Sequence, residues 1–105
     1  MTTILTDTDI TNRILLLTQN RFYKSGGSLC PSEIARSFYT SRSQWSALMP
    51  RVRECSYKLS KMTTQTQKDD GKLVCLQRGN EIEDPRNVKG PIRLKWKPTQ
   101  IQLYI

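Results

Sequence analysis

Three ordered segments restrict what this chain of 105 residues can fold into. Cys30-Pro31-Ser32-Glu33-Ile34-Ala35-Arg36 opens a short helix. Pro suits the first helical position, where an amide has no partner, and Glu suits the third. Met49-Pro50-Arg51-Val52-Arg53 opens a second, amphipathic helix. Gly90-Pro91-Ile92-Arg93-Leu94-Lys95-Trp96 closes a basic strand region. Helices followed by a turn-rich β ribbon, on a chain of net charge +8, outline a winged helix-turn-helix.

The remaining segments fit around that frame. Residues 1–7 are a lead-in, and Asp7, Thr8 or Asp9 can cap a first helix. Ile10, Ile14, Leu17 and Arg21 share one face of it, and Leu15 and Phe22 an adjoining one, so it should be well buried. Lys24-Ser25-Gly26-Gly27-Ser28 ends it, with glycine free to turn left-handed. Ser28-Leu29-Cys30 is extended, because the residue before a proline is driven out of helical angles. The second helix runs to about Tyr39, with Ile34, Ala35 and Phe38 inward.

Ser41 or Ser43 caps the next segment, whose apolar side is Trp45, Leu48 and Met49. Pro50 lacks an amide donor, so a break or kink is expected there. One helical turn up to Leu48 then precedes a main third helix from Pro50 to about Lys61. Its core face is Val52, Cys55, Ser56, Leu59 and Met62, with Arg53, Glu54, Tyr57 and Lys58 outward. Thr63 to Lys68 reads as a strand or as a flexible start to the ribbon, before a turn at Asp69-Asp70-Gly71. Lys72 to Gln77 is a strand, Arg78 to Glu81 a turn, and Glu83 to Gly90 a polar loop. Ile92 to Trp96 is the returning strand, and Ile101 to Ile105 a short final one. The expected class is α+β: three helices, then a β ribbon or wing. It forms a single domain over residues 1–105, with a core at 8–96 and an extension at 97–105.

Charge and residue types narrow the chemistry. Seventeen Lys and Arg oppose nine Asp and Glu, which favours polyanionic partners. Between Arg36 and Lys68, Arg36, Arg42, Arg51, Arg53, Lys58, Lys61 and Lys68 face only Glu54. The chain has no histidine, and its three cysteines form no CxxC pair. No metal, cofactor or secreted disulfide framework is therefore expected, and Cys30, Cys55 and Cys75 read as small buried hydrophobes. Without a histidine base, a GxxxxGK phosphate loop or a nucleophile beside a base, no enzyme is expected. Glu81, Glu83 and Asp84 beside Arg86 and Lys89 read as a solvated turn, with a metal-binding acidic trio as the lesser reading. The absence of a signal peptide or an apolar span points to the cytoplasm and away from membranes.

Candidate binding residues fall on two elements. On the third helix, Arg51, Arg53, Lys58 and Lys61 can meet phosphates or guanine edges, Tyr57 adds a hydroxyl, and Arg42 in the turn of residues 40–43 is a further candidate. Glu54, near the middle of that face, repels phosphate, accepts from a cytosine amine, or is neutralised by Lys58 four residues on. On the ribbon, Arg78, Lys89 and Arg93, with Arg86 and Lys95, can follow a phosphate backbone. The plainer alternatives are a solvated helix face and a sheet edge guarded by charge. Trp45 and Trp96 read as core residues in preference to base-stacking platforms.

With these motifs in place, Leu29 to Trp96 resembles a bacterial family of small uncharacterised proteins expected to be winged helices. The matching pieces are Cys30 to Arg36, Trp45, Met49 to Arg53, Glu83-Asp84-Pro85 and Gly90 to Lys95. The resemblance implies the fold and no activity. This chain departs from the pattern in a longer, more polar Thr63 to Lys72 and in the tail after Trp96. The expected function is DNA binding without catalysis, as a small transcriptional regulator or an accessory protein. The alternative is a protein–protein module, with a protein partner or a second copy taken up through the C-terminal strand.

Overall fold

A computed structural model describes residues 4–66 and 71–98. Helix α1 spans Asp7–Ser25. Its cap is Thr6, one residue before the expected group. The Thr6 hydroxyl accepts the Asp9 amide at 3.1 Å, and the Asp9 carboxylate accepts the Thr6 amide at 3.0 Å. This reciprocal box satisfies two amides at once, an advantage that no single cap offers. Gly26, at φ 74°, ends α1 in the left-handed conformation, with its amide on the Phe22 carbonyl.

Helix α2 is Pro31–Arg36, and Glu33 accepts the Cys30 amide at 3.1 Å. Arg21 of α1 donates to the other Glu33 oxygen at 2.6 Å, tying the two helices together. Burial opposes ionisation of Glu33, yet the Cys30 amide and the Arg21 guanidinium outweigh it and hold the carboxyl below its ordinary value.

Helix α3 is a single run of 25 residues, Arg42–Thr66. Pro50 does not end it, contrary to expectation. Leu48 and Val52, one turn apart across the proline, are both buried, as are Cys55 and Leu59 beyond. That stripe is continuous, and Pro50 itself lies on the exposed side, so the proline costs one hydrogen bond without disturbing the packing. The core stripe ends on Thr63, four residues after Leu59, while Met62 is 58% exposed. Thr63 to Thr66 therefore complete a helix and do not begin the ribbon. The expected turn at Asp69-Asp70 and the final strand at Ile101 to Ile105 lie outside the described residues.

Strands β1 (Gly71–Gln77), β2 (Asn80–Ile82) and β3 (Arg93–Pro98) form an antiparallel sheet of order β2-β1-β3. The β1–β2 turn is only Arg78-Gly79, with φ 54° and 83°, and Asn80 and Glu81 already pair with β1. Two positive φ values match the right-handed twist of the flanking strands. Gly71 is required for a different reason: a Cβ there would sit 2.5 Å from the Lys97 carbonyl and 2.8 Å from the Trp96 ring. Leu29 forms a two-bond antiparallel bridge to Leu94, as its extended geometry predicts.

Helices α1 and α3 pack on the sheet, and α2 packs on α3. Leu73 and Cys75 of β1 pair with Trp96 and Leu94 of β3, and all four are buried. Leu73, Cys75 and Leu94 join Ile10 and Ile14 of α1, Ile34 of α2 and Val52 of α3 in one apolar cluster. The arrangement is α+β, three helices followed by a three-stranded antiparallel sheet, and no described helix is long and apolar enough to cross a membrane.

Candidate nucleic-acid interface

Helix α3 packs along β1, with one hydrogen bond between them and two more that tie each to the loop of residues 83–90. The Thr63 hydroxyl accepts the Leu73 amide at 3.0 Å, near the start of the strand. At the strand's other end, Gln77 Nε2 donates to the Lys89 carbonyl at 2.6 Å. Arg53 donates to the next carbonyl along, that of Gly90, at 2.9 Å. The turns of α3 before Arg53 thus project toward the end of the molecule that carries the Arg78-Gly79 hairpin tip.

The structure places the nine candidate residues in two groups. Arg42, Arg78 and Lys89 have exposed side chains with no ion pair or hydrogen bond among the described residues. The other six are engaged within the protein. Arg51 donates to the Asp7 carboxylate at 2.8 Å and to the Leu5 carbonyl at 2.9 Å, which fastens α3 to the start of α1. Arg53 donates to three main-chain carbonyls, Pro85 at 2.9 Å, Val88 at 3.2 Å and Gly90 at 2.9 Å. Arg93 is bonded to the Ser28 hydroxyl and carbonyl, both at 2.8 Å. Lys58 lies 3.9 Å from Glu54, and Lys61 4.0 Å from Glu83, both loose exposed pairs. Tyr57 carries the Arg86 guanidinium on its ring face, 3.8 Å from the centroid, with the Lys61 ammonium at 5.6 Å.

Arg86 lies beside Asp84 in the polar loop, as expected, and also reaches α3, which the sequence did not show. Beyond its stack on Tyr57 it is bidentate to Asp84 and lies 3.6 Å from Glu54. Its bond to Asp84 holds that carboxyl down at about 2. Glu54 is thereby flanked by Lys58 and Arg86, which answers how an acid sits in a basic helix face. The signal in the sequence was Asp84-Pro85-Arg86, a turn in which an Asp and an Arg two residues apart can pair. Each member of the acidic group has a cation: Glu81 pairs with Lys97, Glu83 with Lys61 and Asp84 with Arg86.

A groove of about 350 Å³ runs between α3 and the loop, lined by Met49, Pro50, Arg53, Glu54 and Arg86. Loop 83–90 lies over the middle of α3 and is anchored from below by buried Pro85. The exposed part of α3 at the hairpin end is its first two turns, with Arg42, Gln44, Ser46 and Ala47 outward.

A family model described as Protein of unknown function (DUF3253) matches residues 7–97. The chain belongs to this DUF3253 family. The match begins at the first residue of α1 and ends one residue short of the end of β3, so it takes in every helix and strand described above. It reaches further toward the N-terminus than the motif resemblance, which began at Leu29. A search of curated proteins found no match.

Proposed function

We propose that this DUF3253 protein is a non-catalytic nucleic-acid-binding module of winged-helix type that holds duplex DNA against the hairpin end of the molecule. The winged-helix reading draws on the element order and on Leu29 acting as a short first strand beside β3. In it, the Arg78-Gly79 hairpin with loop 83–92 is the wing and α3 the helix presented to the groove. The observation that carries the reading is that Arg42 on α3 and Arg78 and Lys89 on the ribbon are exposed and have no ion pair or hydrogen bond among the described residues. Exposed cations of one sign with no internal partner raise the local potential and attract a phosphate backbone.

The test is titration with random-sequence duplex across a salt series, beside a control protein of equal charge. Three phosphate contacts correspond to a log–log salt slope of about −2.7. Binding no tighter than the control removes the proposal. A protein-docking role is then favoured by Leu16 and Tyr23, seven residues apart on α1 and 53% and 64% exposed.

A further inference from the structure

Loop 83–90 does more than connect two strands. The Arg53 fork reaches three of its carbonyls, and such a fork has five donors in one plane, which a lysine cannot reproduce. Arg86 makes the reverse attachment, from the loop onto Tyr57 and Glu54 of α3. Base readout in a major groove needs free donors on the presented helix, guanine being met most often by a bidentate Arg. The two arginines of mid-α3, Arg51 and Arg53, are both bonded inside the protein, and the loop covers the helix between them and Lys58. Of the nine candidates, those with no ion pair or hydrogen bond among the described residues are Arg42 at the start of α3 and Arg78 and Lys89 on the wing.

We infer that the interface grips the phosphodiester backbone without selecting bases, because Arg53 is a positioning residue that latches loop 83–90 onto α3 and is thereby withheld from base edges. This rests on the nucleic-acid reading for its ligand, while the latch stands on the contacts alone. The latch also sets the wing cation Lys89, since the carbonyls held by Arg53 belong to the residues on either side of it, Val88 and Gly90. Phosphate contacts of this kind fix position and carry no sequence information.

Two arms test it separately. The first uses no nucleic acid. Limited trypsin digestion cuts after Arg86 and Lys89 within the loop, scored against cleavage after Arg13 in α1. Arg53→Ala and the charge-keeping Arg53→Lys should each accelerate loop cleavage about tenfold or more relative to α1, as expected for local opening. Loop cleavage that stays level with native in Arg53→Lys overturns the latch. If Arg53→Ala opens α1 equally, Arg53→Lys alone decides.

The second arm measures binding of the full chain to several unrelated 20-base-pair duplexes and runs a selection from a random pool. Affinities should agree within about threefold, no selected motif should exceed the random duplex by about tenfold, and the salt slope should fall by about 0.9 each for Arg78→Ala and Lys89→Ala. Arg53→Lys should weaken binding and leave that slope unchanged. A strongly selected motif, or a slope that falls in Arg53→Lys, overturns sequence-independent gripping. If no duplex binds beyond the charge control, the nucleic-acid reading itself fails, and the digestion still decides the latch.

Discussion

Thr63 and Leu73 form the joint between the helical and β halves of the protein. The Thr63 hydroxyl donates to the Leu59 carbonyl at 2.9 Å within α3 and accepts the Leu73 amide of β1 at 3.0 Å. Both bonds are buried, so a hydroxyl at the last core turn of α3 satisfies a strand amide on the side of β1 away from β3. Thr63→Val keeps the shape and removes the acceptor, leaving a buried amide without a partner. The expected loss is about 1–3 kcal/mol in urea denaturation, with Thr63→Ser recovering much of it. Equal stability of Thr63→Val and the native protein would show that water replaces the hydroxyl.

The Arg78-Gly79 turn sets stability against binding. Arg78 has φ 54°, where a long side chain is uncommon and Asn is well tolerated. Arg78→Asn should therefore raise stability by up to about 1 kcal/mol and lower duplex affinity by removing a wing cation. Thermal melts and a salt-series titration on the same variant read the two effects. A variant that is less stable would show that Arg78 is held by contacts in addition to its backbone.

Asp84 makes the loop sensitive to acid. The hydrogen bond from the Arg86 side chain, joined by the Arg86 amide and the charge of the same guanidinium, lowers the carboxyl to about 2. Its value in the unfolded chain is about 3.9, so the unfolded state takes up the proton first. The contribution is present above about pH 4 and is lost as pH falls toward 2. Urea midpoints taken across that window should fall in the native protein and fall less in Asp84→Asn. Parallel curves for the two proteins would refute the assignment.

The thiols should separate by reactivity. Burial pushes Cys75 up to about 12, and burial followed by the Asp7 charge raises Cys55 as well. Cys30 is half-buried at the start of α2 and accepts the Ser32 hydroxyl at 3.1 Å. Near pH 8, iodoacetamide should modify Cys30 alone in the folded protein and all three cysteines in urea. Labelling of Cys75 without denaturant would show that the sheet opens readily.

The sequence by itself determined most of the elements and their order, though not β2, whose Asn80 and Glu81 it reads as part of a turn. Local causes were sufficient there: Pro31 with Glu33 for the start of α2, Gly26 for the end of α1, and the alternation of Ile92, Leu94 and Trp96, each buried. It misjudged Pro50, because a local breaker was outweighed by a stripe of buried residues on both sides of it. It also put Met62 in the core where Thr63 stands, since a hydroxyl's value there depends on the distant Leu73 amide. The candidate surface was legible as a set of cations and not as a site. Composition gives the same charge to Arg42, Arg53 and Arg78. Only the tertiary structure decides that Arg53 finds three carbonyls 32 to 37 residues away, while Arg42 and Arg78 find no partner among the described residues. Net charge is a sum over residues, whereas a cation's availability depends on the partners that long-range folding brings within hydrogen-bond reach.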